Sequence, residues 1–329
     1  MLNQNQKLNP KLFDLAVEQK AIRDGYGEGL VLAGDANKRV VALCADLTES
    51  TRTEAFAKKF PERFIQVGVA EQNLATVASG MAAMGKIPFI TSYAMFSPGR
   101  NWEQIRTTIC YNDQPVKIAG SHAGISVGPD GGTHQAIEDI AITRVIPRMQ
   151  VIVPCDVIEA QKATMACAKT KSPTYIRLAR HKTPIITSID SPFIIGKANV
   201  LWQVNKPQVV IIACGALVYQ ALQAAKKLAE ENIEVSVINL HTIKPLDEKT
   251  ILEVVAVARA VVTVEEHQQV GGMGSAVAEF LAKTNPVPIE FVGVNDKFGQ
   301  SGEPSQLLEH YGLDTNAIVK AVKKVKSRS

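Results

Sequence analysis

Short β-branched runs alternate with longer helical patterns through most of this 329-residue chain. Strands separated by helices cannot pair as tight hairpins, so they align in parallel, with the helices laid over both faces. The first half predicts strands over 40–46, 63–68, 87–93, 116–122, 150–155 and 174–179, with helices over 71–85, 101–111, 136–143 and 157–169 among them. The second half predicts strands over 209–215, 234–240, 260–266 and 288–294. A helix over 216–231 places Leu217, Ala221, Ala224 and Leu228 on one face. Between the halves, 181–207 holds Pro184, Pro192 and Pro207 with Thr187, Ser188 and Ser191, and has no long helical period. It reads as a connection with one strand pair inside. The expected fold is α/β with two domains, each a mostly parallel sheet with helices on both faces. The expected limits are 1–185 for the first domain, 186–206 for the linker and 207–329 for the second domain.

A hydrophobic content of 46% against 21% charged residues supports a sizeable buried core. The net charge of +4 is too mild to argue for nucleic acid, and the basic tail (Lys320, Lys323, Lys324, Lys326, Arg328) reads as a solvated helix end. No apolar run is long enough to cross a bilayer, and residues 1–6 show no secretory pattern. Cys44, Cys110, Cys155, Cys167 and Cys214 lie far apart with no CxxC pair. They read as free buried thiols in a reducing cytoplasm, rather than as a disulfide frame or a zinc site.

In a parallel sheet, active sites gather at the carboxyl ends of strands, where Asp46, Tyr93 and His122 are expected. Glu71 stands in Gly68-Val69-Ala70-Glu71-Gln72-Asn73, where a predicted strand turns into a small-residue helix. A poorly hydrated carboxylate there is expected to gain proton affinity and to suit proton exchange. The plain alternative is a helix-start acid that favours the macrodipole. The loop from Ser121 to Gln135 holds His122, Asp130 and His134 among four glycines. Glycines admit a ligand close to the backbone, and imidazoles with a carboxylate can hold hydroxyls and relay protons. A satisfied core histidine, an ordinary polar loop and a metal site are the competing readings. The twelve-residue spacing of the two histidines is not a usual ligand pattern.

Taken in order, Ala45-Asp46-Leu47-Thr48, Val67-Gly68-Val69-Ala70-Glu71-Gln72, the loop from His122 to His134, Val264-Glu265-Glu266-His267 and Gly271-Gly272-Met273-Gly274 resemble the carboxyl-terminal half of transketolase, a thiamine diphosphate enzyme. The similarity runs from about residue 21 to the end and is to the separately encoded C-terminal subunit of split transketolases. The resemblance implies that Glu71 hydrogen-bonds the cofactor's aminopyrimidine and promotes the tautomer that removes the thiazolium proton. It implies that Tyr93 and Phe96 stack around the pyrimidine; a further aromatic expected shortly after Phe96 is replaced by Ser97-Pro98-Gly99-Arg100. It also implies that His122, Asp130 and His134 handle the sugar, with His122 and His134 in the chemistry. Arg23, Ser50 and Arg180 would contact substrate phosphate, for which an arginine fork is suited. Asp46 would lie near the thiazolium, with a strand-end cap as its alternative.

Enzymes of this kind hold the diphosphate through a divalent metal on a domain marked by Gly-Asp-Gly and a later Asn-Asn; neither string occurs in this sequence. The resemblance therefore implies Mg2+ ligands on an N-terminal, diphosphate-binding partner subunit, an α2β2 assembly, and transfer of a two-carbon ketol unit between sugar phosphates. Two related enzymes compete. One is the β-subunit of a 2-oxoacid dehydrogenase decarboxylase, against which the His122 and His134 pair argues. The other is deoxyxylulose-phosphate synthase, which carries arginine near the place of His122. A non-catalytic regulatory subunit is the reading from a different class.

Overall fold

The structure, a computed structural model, describes residues 1–328; Ser329, the last residue of the second expected domain, lies outside the described residues. Among the described residues the chain forms a seven-stranded sheet, a five-stranded sheet and a two-stranded ribbon. The large sheet runs, edge to edge, through Thr242–Lys244, Gln150–Ile152, Thr174–Arg177, Lys117–Ser121, Ile87–Tyr93, Val40–Cys44 and Phe64–Gln66. Every neighbouring pair is parallel except the first.

These strands are continuous apolar runs because successive residues serve different cores. Val40 and Ala42, with Phe89 and Ala119, pack beneath the helices Ile22–Ala36 and Val157–Cys167. Val41 and Leu43, with Ile90 and Ile118, pack against Leu74, Ala75 and Ala78 of the helix Glu71–Ala83. The division follows the two-residue period of a strand. Close helix approach fixes the first of these layers. A β-carbon at Gly25 would lie 1.9 Å from the Val157 carbonyl oxygen, and one at Gly29 would lie 2.7 Å from that of Gln161. The first turn of Ile22–Ala36, which carries Arg23, is thereby seated near the carboxyl ends of the strands.

The second sheet runs Ile289–Val294, Ala260–Gln268, Val209–Ala213, Val235–Asn239 and Asn199–Trp202, parallel except for the last pair. Val218–Glu230 and Thr315–Lys326 cover one face, and Glu248–Val255 with Met273–Thr284 the other. The basic tail is a docked helix: Ile318, Val322 and Val325 enter the core, while Lys323 and Lys324 reach Glu231 and Glu290 at 2.5 Å. No helix among the described residues is long and apolar enough to cross a membrane.

The structure corrects several sequence expectations. The connecting segment holds no internal strand pair. Lys182–Pro184 pairs with Gln19–Ala21, and Asn199–Trp202 edges the second sheet. Thr242–Lys244 crosses from the second half to edge the first sheet. The halves share one apolar cluster, in which Leu43 and Ile90 join Val210 and Val261. These pairings are remote in sequence and leave no local period to read. The predicted helix over 101–111 divides into Trp102–Gln104 and the π-helical Ile105–Tyr111. The predicted helix over 136–143 starts later, at Asp139–Arg144, because Ala136 is held in a bridge with Ala123. Asp46 and His122 lie just past their strands, in left-handed backbone with φ of 59° and 57°.

Candidate active site

The carboxyl ends of the central strands bring six of the sequence-predicted residues into one connected group. His122, buried at the end of Lys117–Ser121, stacks on Tyr93 at the end of Ile87–Tyr93, with ring centroids 3.9 Å apart. Tyr93 stacks in turn on Phe96 at 5.7 Å, and His134 meets the edges of both rings at 6.2 and 5.5 Å. Arg23 Nη1 lies 3.1 Å from His122 Nε2 and donates to the Ser50 carbonyl at 2.6 Å. Ser50 thus meets this group through its backbone rather than its hydroxyl.

The His122 tautomer follows from its partners. Arginine can only donate, so Nε2 accepts, and the ring proton sits on Nδ1, which donates to Ser121 Oγ at 2.9 Å. Burial, then the nearby charges of Arg23, Arg180 and Arg52, push its pKa down to about 2. His122 is therefore a neutral imidazole set among three guanidinium groups. Such a cluster is suited to a phosphate, whose charge the arginines offset.

At the other end, Glu71 begins the helix Glu71–Ala83 and is buried. Arg100 Nη1 donates to its Oε1 at 3.0 Å. The same guanidinium lies over the Phe96 ring, 4.0 Å from its centroid, so Arg100 links the acid to the aromatic shelf. Asn101, fully buried, donates from Nδ2 to the Glu71 carbonyl at 2.9 Å and to Ser97 Oγ at 3.1 Å, which pins the turn to the helix start.

Other predicted residues stand outside this contact line. Asp46 is exposed; its amide donates to Gln66 Oε1 at 2.7 Å, and its side chain caps no helix. Asp130 is exposed at the end of the short turn Ile125–Asp130. Arg180 donates to the Val127 carbonyl at 3.1 Å, which ties it to the loop, and its charge acts on His122.

Sequence reasoning did not assign the residues that hold the loop. The buried Glu266, from the second sheet, receives the Ser126 amide. Burial pushes its carboxyl pKa up, while Arg177 and that amide draw it down. Arg177 donates to the carbonyls of Ala136 at 3.1 Å and Glu266 at 2.8 Å, and to Asp139 Oδ2 at 2.8 Å. Gln135 donates to Ile125 and Gln300 carbonyls at 3.0 Å. The run Val264-Glu265-Glu266-His267 was visible as a motif, but its target 140 residues away was not. Arg100 was visible solely as a break in an aromatic pattern. Among the described residues no group of three or more His, Cys, Asp or Glu side chains could hold a metal ion.

Comparison with known proteins gives this geometry a lineage. Residues 18–185 match the transketolase pyrimidine binding domain, and residues 196–318 match the transketolase C-terminal domain. A protein from Methanocaldococcus jannaschii named for the C-terminal section of transketolase is 44% identical over 92% of this chain and 95% of its own length. A 6-deoxy-6-sulfo-D-fructose transketolase subunit from Clostridium sp. strain MSTE9 is 40% identical over 96% of this chain and 98% of its own. A solved split-gene transketolase, described as an inactive β4 tetramer, shares 46% identity with a TM-score of 0.87, over 93% of this chain and 98% of that one. Human transketolase is 36% identical, and the match spans 48% of its length. The chain belongs to the transketolase family, as a subunit built from the pyrimidine-binding and C-terminal domains of that thiamine diphosphate-dependent enzyme.

Proposed function

We propose that this chain supplies the pyrimidine side of a thiamine diphosphate site, and that a second subunit supplies the diphosphate side with Mg2+. The pair would act in the cytoplasm as an α2β2 transketolase, moving a two-carbon ketol unit between sugar phosphates. One observation carries the reading. A single line of contacts joins the buried Glu71, through Arg100, Phe96 and Tyr93, to the His122–Arg23 cluster. A buried carboxylate beside an aromatic face suits a flat, hydrogen-bonding heterocycle, and the residues present therefore fit the cofactor's pyrimidine. The inactivity stated for the related β4 tetramer supports the need for a partner. Five free, buried cysteines support a reducing compartment.

Each residue then has a task. The cofactor, when bound, supplies the carbon centre that accepts and releases the ketol unit. Glu71 would hold and exchange a proton with the aminopyrimidine. Phe96 and Tyr93 would form a shelf for the ring. Arg23 and Arg180 would grip the phosphate end of the sugar, with the neutral His122 adding no charge and holding the Arg23 guanidinium through its accepting Nε2. His134 and Asp130 would contact sugar hydroxyls, and Asp46 would face the thiazolium. The relative named for 6-deoxy-6-sulfo-D-fructose and another named for apulose 4-phosphate place those sugars in the test panel beside xylulose 5-phosphate.

The test is co-expression with the diphosphate-domain subunit, followed by assay with thiamine diphosphate and Mg2+. Ketol transfer from one of these ketoses to ribose 5-phosphate is the expected result. Oxidation of pyruvate with an artificial electron acceptor, in the absence of ketol transfer, would overturn the reaction assigned. Full turnover by this chain without a partner would overturn the shared site.

A further inference from the structure

Arg100 makes at one time the two contacts that the pyrimidine of the proposed function would need, a hydrogen bond to Glu71 and stacking on Phe96. Its guanidinium is planar, donates to Glu71 Oε1 at 3.0 Å and rests 4.0 Å from the Phe96 centroid. A flat cation with several donors is the side chain best able to imitate such a ring. Its root is fixed and its head is half solvated. The Arg100 amide donates to the Phe96 carbonyl at 2.8 Å, and the neighbouring Asn101 is anchored to the start of the Glu71 helix. The side chain itself is 49% exposed, whereas that of Glu71 is 4% exposed. The arginine head therefore already meets water over about half its surface. Leaving Glu71 buried without any partner would be costly.

We propose that Arg100 is a stand-in for the cofactor's pyrimidine ring. It satisfies Glu71 and covers Phe96 while the seat is empty, and it must swing out when the cofactor binds in the assembled enzyme. Arg100 is thus a positioning residue that sets cofactor affinity by competing for the seat. The inference rests on the cofactor placement given above, and it concerns affinity rather than chemistry.

The experiment titrates thiamine diphosphate, with Mg2+ present, into the assembled two-subunit complex and reads binding by calorimetry, apart from turnover. Arg100→Met keeps an apolar stem over Phe96 and removes the competing charge. It is expected to bind the cofactor several-fold more tightly than the parent. Arg100→Lys, which keeps the charge but loses the planar fork, is expected to fall between the two and provides a second test if the methionine variant folds poorly. Unchanged or weaker binding in either folded variant overturns the stand-in role. Glu71→Gln, run in parallel, separates this failure from a wider one. If Glu71→Gln loses turnover while the Arg100 variants bind no more tightly, the present inference alone falls. If Glu71→Gln turns over at the parent rate, the cofactor placement falls with it.

Discussion

The two ends of the candidate site are built differently. At the His122 end the loop is locked from behind by buried groups. Glu266 receives the Ser126 amide, Arg177 binds two carbonyls and Asp139, and Gln135 gathers two more carbonyls. At the Glu71 end a single half-exposed arginine bridges the acid and the aromatic ring. Buried hydrogen bonds of this kind hold the loop in one geometry, since breaking one strands a buried partner. The half-solvated arginine head can trade this contact for water, whereas the buried Glu71 then needs another partner. The difference indicates that the His122 end is preorganised within this chain, while the Glu71 end is closed by one contact that another donor can replace.

The largest expected effect tests the Glu71 end. Glu71→Gln should leave assembly intact and lower ketol transfer by about 10²–10⁴-fold, the range for removing a positioned proton-exchange group. Steady-state kinetics of the assembled complex measures it, and a loss below tenfold would remove Glu71 from proton exchange.

The next effect tests the locked end. Glu266→Ala strands the buried Ser126 amide, which should cost about 1–3 kcal/mol of stability and raise KM for phosphorylated sugars more than it lowers kcat. Glu266→Gln retains an accepting oxygen and should recover most of both. Urea melts and kinetics read the two together. If the alanine variant loses stability with KM unchanged, Glu266 supports the fold without setting the loop.

A smaller effect comes from pH. Below the ordinary histidine pKa of about 6.5 the unfolded chain takes up a proton that native His122, held down at about 2, refuses. The unfolded state then binds more protons, so this residue lowers stability as pH falls from about 6.5 towards 2. His122→Gln should lose less stability than the parent between pH 7 and pH 5, by about 2 kcal/mol. Parallel losses in urea melts at the two pH values would show that His122 is not held neutral by the fold.

The sequence made some of this molecule legible and hid the rest, for physical reasons. The parallel sheets were readable because doubly covered strands are unbroken apolar runs, such as Val40–Cys44 and Val209–Ala213. His122, His134 and Glu71 stood out because polar residues at strand ends interrupt those runs. Strand ends were overrun at Asp46 and His122, where a left-handed residue stops the pairing without changing local hydrophobicity. The edge strand Thr242–Lys244, the Glu266 brace and the turn of Arg100 back to Glu71 were hidden. Each joins segments far apart in the chain, at separations of 29 residues for Arg100 to Glu71 and 140 for Ser126 to Glu266. A local period records which face is buried; it does not record which remote group covers it.

The most direct test of the shared cofactor site is a crystal structure of the assembled two-subunit complex with thiamine diphosphate and Mg2+ bound. The pyrimidine ring is expected on Phe96, with a ring nitrogen within hydrogen-bond reach of the Glu71 carboxylate and Arg100 turned away into solvent or towards the partner. A pyrimidine bound elsewhere, with the Arg100–Glu71 pair still closed, would contradict this placement.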